Sequence, residues 1–187
     1  MNFTKQLLAL FVVLLVFAGP AGLQAADTSK ARQDIEQLLG TDGLTIRGVE
    51  ILTEGLILDT YEDHGFAPYW TSSDKIKELL SLINSSTDHG LNPSDYNIDA
   101  LNQVLKLRQE KPSAGIEAEA DILLTESLFR YGYHRRFGKV KANEMDPNIN
   151  FRRQAFHQQA PSKTLEQALE SSSLTDFIEM VAPTGPV

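Results

Sequence analysis

Apolar residues recur along this chain at helical spacing, in short runs closed by glycine. The clearest is Ile76, Leu79, Leu80 and Ile83, at i, i+3, i+4 and i+7, preceded by the candidate caps Thr71, Ser72, Ser73 and Asp74. Thr53 opens a second helix through Leu56, Ile57 and Tyr61 to Gly65. Thr28 or Ser29 caps a short one carrying Ile35, Leu38 and Leu39 up to Gly40. Asp99 caps a helix with Leu101, Val104 and Leu105 on one face and Arg108 at its edge, and the Lys111–Gly115 stretch breaks it. The longest helix follows, with Ile116, Ala120, Leu123, Leu124, Ser127, Leu128 and Tyr131 on one broad face, ending near Gly138; that width predicts the centre of a bundle. Beyond it the chain reads as irregular through Met145-Asp146-Pro147 and on to Phe151. Ser162 then caps a helix with Leu165, Ala168 and Leu169, and a last short helix holds Phe177, Ile178 and Val181. Only Leu44 to Val49 alternates, weakly, as a short extended piece.

Two of the stops share one wording: Asp63-His64-Gly65-Phe66-Ala67-Pro68 and Asp88-His89-Gly90-Leu91-Asn92-Pro93. A helix leaves its last carbonyls unpaired, and a glycine just past the end reaches the left-handed conformation that turns the following amides back onto them. Gly65 and Gly90 fit that role. Phe66 and Leu91 then pack on the last turn, proline prevents resumption, and histidine complements the helix dipole. The predicted fold is all-α, an irregular multi-helix bundle of helical hairpins with hard stops.

The N-terminus refines the domain organisation. Lys5, an apolar run from Leu7 to Phe17, Gly19-Pro20 and small residues at Ala25-Ala26 read as a secretory signal peptide over residues 1–25, cleaved after Ala25. The run is shorter than the roughly 20 residues that span a bilayer, so membrane contact is expected only through an uncleaved signal. Residues 26–187 form the expected single helical domain. The chain carries 17 basic and 25 acidic residues, and loss of Lys5 with the leader takes the net charge from −8 to −9. Such a surface repels phosphates, so nucleic acid is not an expected partner. The cysteine count of zero excludes disulfides and any thiolate nucleophile or ligand in this chain.

Candidate chemistry weighs as follows. His64, His89, His134 and His157 invite a metal, but no two lie three or four apart on a helix face and two have capping explanations, so no metal or other cofactor is expected. No Gly-x-Ser-x-Gly elbow occurs, and Ser171-Ser172-Ser173 sits where a helix ends and the next is capped. Glu117 and Glu119 read as a solvated helix edge, and no catalytic residue is assigned. The aromatics Phe66, Tyr69 and Trp70 read as core, folded back on the preceding helix, with a sugar-stacking platform as the alternative. The concentrated positive stretch His134–Lys141 makes Arg135, Arg136 and Lys139 candidates for contact with an anionic polymer or a partner domain, against simple dipole compensation.

Taken in order, Tyr61-Glu62-Asp63-His64-Gly65-Phe66-Ala67-Pro68-Tyr69-Trp70, Asp88-His89-Gly90-Leu91-Asn92-Pro93-Ser94-Asp95-Tyr96, Leu123-Leu124-Thr125, Arg130-Tyr131-Gly132 and Gly138-Lys139-Val140 resemble the N-terminal scaffold domain of the long, YcbB-like murein L,D-transpeptidases. The likeness runs from about Ile46 to Val187. It implies a periplasmic protein in which a helical scaffold supports a peptidoglycan-binding module and a YkuD-type catalytic domain. That domain uses a cysteine to form a thioester with a tetrapeptide stem and pass it to a second stem's amine. This chain holds neither a cysteine nor the family's Ser/Thr-x-Gly-Cys stretch, so catalysis by it alone is not expected.

The leading expectation is therefore the scaffold part of an exported peptidoglycan L,D-transpeptidase, a fragment without its own catalysis given the loop-like ending at Ala182–Val187. Its expected partners are peptidoglycan and the missing peptidoglycan-binding and catalytic domains. The alternative is a free-standing periplasmic adaptor that binds murein or a partner enzyme. A carboxylate hydrolase is a third class, requiring two acids to converge in one pocket.

Overall fold

The computed structural model describes residues 21–139 and 160–181, and side chains over 28–139 and 160–180. Most of the predicted leader, the irregular stretch with Met145 and Phe151, His157 and residues 182–187 lie outside that range. The described residues form seven α-helices and one small hairpin: α1 (Ala21–Leu39), β1 (Thr45–Ile46), β2 (Val49–Glu50), α2 (Glu54–Asp63), α3 (Ser73–Asn84), α4 (Ile98–Glu110), α5 (Ala114–Phe137), α6 (Pro161–Glu170) and α7 (Leu174–Val181). Two 3-10 turns, Ser85–His89 and Pro93–Tyr96, link α3 to α4. The strands are antiparallel, pairing Thr45 with Glu50 and Ile46 with Val49 around Arg47-Gly48, where the weak alternation placed an extended piece.

The expectation of a central long helix holds. From Ala120 to Phe129 every residue of α5 is buried, and Ala118, Tyr131, Tyr133 and His134 are buried as well. A helix apolar on one face only would leave the other side wet; α5 is instead wrapped by its neighbours, most extensively by α1 and α4. Ile35 and Leu39 of α1, Leu56 and Ile57 of α2, Ile76, Leu79 and Ile83 of α3, and Leu101 and Val104 of α4 complete one core with Leu165, Leu174 and Ile178. On α3, Leu82 is buried where the spacing favoured Leu80, which is half-buried.

Both repeated stops close as the sequence predicts. Gly65 (φ 59°) and Gly90 (φ 69°) are left-handed. Phe66 N donates to Tyr61 O at 2.7 Å, and Leu91 N donates to Ser86 O at 3.1 Å, the same six-to-one return bond twice. Phe66 itself sits at φ 58°, a conformation a bulky side chain adopts at a cost of roughly 1–2 kcal/mol. The short return bond and the packing of its ring on the core offset that cost.

Several caps differ from expectation. The first helix starts at Ala21, ahead of Thr28 and Ser29 and through the predicted cleavage point, because Leu23, Gln24, Ala25 and Ala26 favour helix. Thr53 precedes α2 without capping it, its hydroxyl being drawn to a buried carboxylate on α5. The helix with Asp99 begins one residue earlier, after left-handed Asn97. Pro161 starts α6, and Ser162 lies inside its first turn, donating to Asp63 at 2.9 Å. Ser72 and Ser113 do cap α3 and α5.

Gly65→Ala is expected to destabilise the protein by about 1 kcal/mol, since alanine must adopt the left-handed turn. Gly55→Ala, on the exposed side of α2 with open space at its Cβ position, is expected to stabilise it by up to about 1 kcal/mol. Urea unfolding midpoints at one pH measure both, and equal signs would refute this account of the two glycines.

Candidate functional site

Two rows of polar residues run along buried α5 at four-residue spacing, each row on one face of the helix. The first is Glu117, Asp121 and Thr125; the second is Glu126, Arg130 and His134. A polar atom in such an interior requires a partner, and each row supplies partners to a different part of the chain.

The first row clasps the α2–α3 connection. Asp121 Oδ1 accepts from Tyr61 Oη at 2.6 Å and from the Tyr69 amide at 2.9 Å, while Oδ2 accepts from the Trp70 amide at 2.9 Å. Thr125 Oγ1 accepts from Trp70 Nε1 at 3.0 Å and lies 3.0 Å from Tyr61 Oη; with the tyrosine proton committed to Asp121, the threonine hydroxyl donates to it. Arg108 brackets the same loop, ion-paired to Glu117 at 2.7 Å with its guanidinium 3.4 Å from Trp70 O. Burial pushes Asp121 up to about 6, outweighing the opposing bonds from Tyr61, Tyr69 and Trp70 and the Arg108 charge. The Tyr61 phenol is raised well above its usual range, first by burial and then by the Asp121 charge.

The second row holds the exit from the hairpin, at Leu52 and Thr53, and the start of α4. Glu126, fully buried, accepts from the Thr53 hydroxyl and from the Thr53 and Leu52 amides, and burial raises its pKa. Arg130 Nη1 lies 3.5 Å from Glu126 Oε1 and 3.4 Å from Asn97 Oδ1. One turn on, Tyr96 Oη bonds His134 Nδ1 at 3.0 Å, and Tyr131 packs edge-on against the Tyr96 ring with centroids 5.3 Å apart. Burial, with Arg130 and Lys139 adding to it, lowers His134 to about 4, so the ring is neutral.

The residues singled out in the sequence fall into two sets. Tyr61, Gly65, Phe66, Pro68, Trp70, Gly90, Leu91, Pro93, Tyr96, Tyr131 and Gly138 all lie in these clasps or at the helix stops, with Pro93 opening a 3-10 turn and Gly138 (φ 77°) ending α5. Trp70 is 1 % exposed, so the aromatic cluster is core. Tyr69 is half-buried and stacks on His64 at 4.1 Å. In the cationic set Arg135 pairs with Glu179 of α7, Lys139 pairs with Asp95 at 2.7 Å, and Arg136 lies over the Phe137 ring, 5.8 Å from its centroid.

Glu117 and Glu119, expected on a solvated edge, are half-buried ion pairs with Arg108 and Arg47. Ser171 and Ser173 do end α6 and cap α7. His64, His89 and His134 lie in separate surroundings: stacked on a tyrosine, exposed, and buried against Tyr96. Asp121, Thr125, Glu126 and Arg130 were not singled out for these roles. The available signal was polar residues at i, i+4 in a helix otherwise too apolar to face water.

Among known proteins, the family model described as Scaffold domain matches residues 55–187. No curated protein and no solved structure matches the chain.

Asp121 and His134 titrate in opposite senses. A raised Asp121 means the folded protein holds its proton longer than the unfolded chain, so this group's stabilisation is present below pH 4 and lost as pH rises to about 6. A lowered His134 means the unfolded chain binds the proton first, so its contribution grows as pH rises from about 4 to 6.5. The destabilisation by Asp121→Asn should therefore be larger at pH 4 than at pH 7, by up to about 3 kcal/mol. That of His134→Gln should be larger at pH 7 than at pH 4. Unfolding curves at the two pH values check both signs.

Proposed function

The chain belongs to the Scaffold domain family, and from that premise we propose that it is the scaffold portion of an exported peptidoglycan L,D-transpeptidase that takes part in cell-wall cross-linking. The observation that carries the reading is where the motif residues lie. Those that resemble the murein transpeptidase scaffold, from Tyr61 to Gly138, are the residues that tie loops to α5 or stop helices, rather than residues gathered round a reactive group. They do the work of a frame.

Chemistry supports the same division of labour. Thioester formation needs a thiolate, and the 187 residues contain no cysteine, so the acyl transfer belongs to a catalytic domain that this frame positions. The leader with Lys5 and the Leu7–Phe17 run directs the protein to the periplasm. Its partners are peptidoglycan and the peptidoglycan-binding and catalytic domains. Arg135, Arg136 and Lys139 together form the cationic stretch offered to murein carboxylates.

A mixing experiment tests the reading. Purified chain incubated with tetrapeptide muropeptides is expected to give no cross-linked dimer by mass spectrometry, with dimers forming once a cysteine-bearing transpeptidase domain from the same genome is added. Turnover by the chain alone would sink the proposal. In a companion assay, the chain is expected to sediment with isolated sacculi at low salt, less so after Arg136→Ala, and to be released by salt.

A further inference from the structure

We propose that α6 and α7 form one helical corner that opens from the frame as a unit, held by a clip that α3 places on both helix ends. The corner turns at Ser171–Ser173, where the carbonyl end of α6 meets the amide end of α7. Lys75 Nζ of α3 donates to Ser171 O at 2.9 Å, and Glu78 Oε2, three residues on, accepts from Leu174 N at 2.9 Å. The ammonium thus sits at the negative end of one helix dipole and the carboxylate at the positive end of the next. The two side chains also pair with each other at 3.0 Å. The Leu174 amide and Lys75 hold Glu78 below the usual carboxylate range.

The corner is stiff within itself. Ser171 Oγ donates its one proton to Ala168 O at 2.6 Å, with Ser173 O an alternative acceptor at 2.9 Å, and Ser173 Oγ accepts from the Thr175 and Asp176 amides. Its other polar attachments lie at the rim: Arg135 with Glu179, Ser162 with Asp63, and His64 with Glu166 at 3.8 Å. Glu179, His64 and Glu166 are open to water at this rim and Ser162 is buried, whereas the carboxylates of both clasps, Asp121 and Glu126, are buried. Beneath, Ile178 rests on Gly132 of α5, 3.4 Å from where a Cβ would stand, a seat that needs no side chain to move aside when the corner lifts. Stiff inside, and held to the frame by a few polar contacts together with the buried side chains of Leu165, Leu174 and Ile178, the corner is built to open as one cooperative sub-global unit.

Native-state hydrogen exchange on the full chain tests this. In wild type, amides of α6 and α7 are expected to share one opening free energy, below that of the Ile122–Phe129 amides of α5. Lys75→Met and Glu78→Gln are each expected to speed exchange in both helices by about 3- to 10-fold while leaving α5 unchanged. Lys163→Met, which removes a pair internal to α6, should leave the opening as it was. Exchange of α6 and α7 only by global unfolding, or at unrelated rates, would overturn the proposal, and the wild-type comparison decides it even if a variant fails to fold.

Discussion

Everything else in the fold is arranged around a carboxylate that cannot reach water. Asp121 lies midway along the buried helix and accepts from one phenol and two backbone amides, and those donors come from either end of the α2–α3 connection. Leaving any of them unpaired in this interior costs about 1–3 kcal/mol, so only one path of the loop across α5 satisfies them together. Apolar packing would accept several arrangements of such helices. The buried acid selects among them, as the Glu126 row does for the hairpin.

That selection explains why a family of frames can be marked by residues with no reactive role. Tyr61, Trp70 and Tyr96 are large apolar bodies with one polar atom each, and every one of those atoms meets a partner on α5. Replacing such a residue by a purely apolar one keeps the volume and loses the address. The residues between helices therefore carry as much of the identity of the fold as those within them.

The helices, the two glycine stops, the central place of α5 and the serine corner were legible in the sequence, because spacing and turn chemistry act locally. The buried rows were not. Periodicity treats Asp121 and Glu126 as solvent-facing, and only their partners 51 to 73 positions away, Tyr61, Trp70 and Thr53, reverse that assignment. The caps at Thr53 and Ser162 differed for the same reason: a local hydrogen bond was expected, and a distant carboxylate took each hydroxyl. The cationic stretch was legible as charge, but the sites of Glu179 and Asp95 that neutralise Arg135 and Lys139 were not.

The matched region begins at residue 55, yet Ile35, Leu44, Ile46 and Ile51 are buried in the same core and α1 lies along α5 over its most extensive helix contact. The autonomous folding unit is therefore longer than the stretch the family shares. Cutting at the shared boundary would strip one flank of the central helix and leave a sticky, aggregation-prone protein, so the helix and hairpin ahead of it are to be counted as part of the domain and not as its tether.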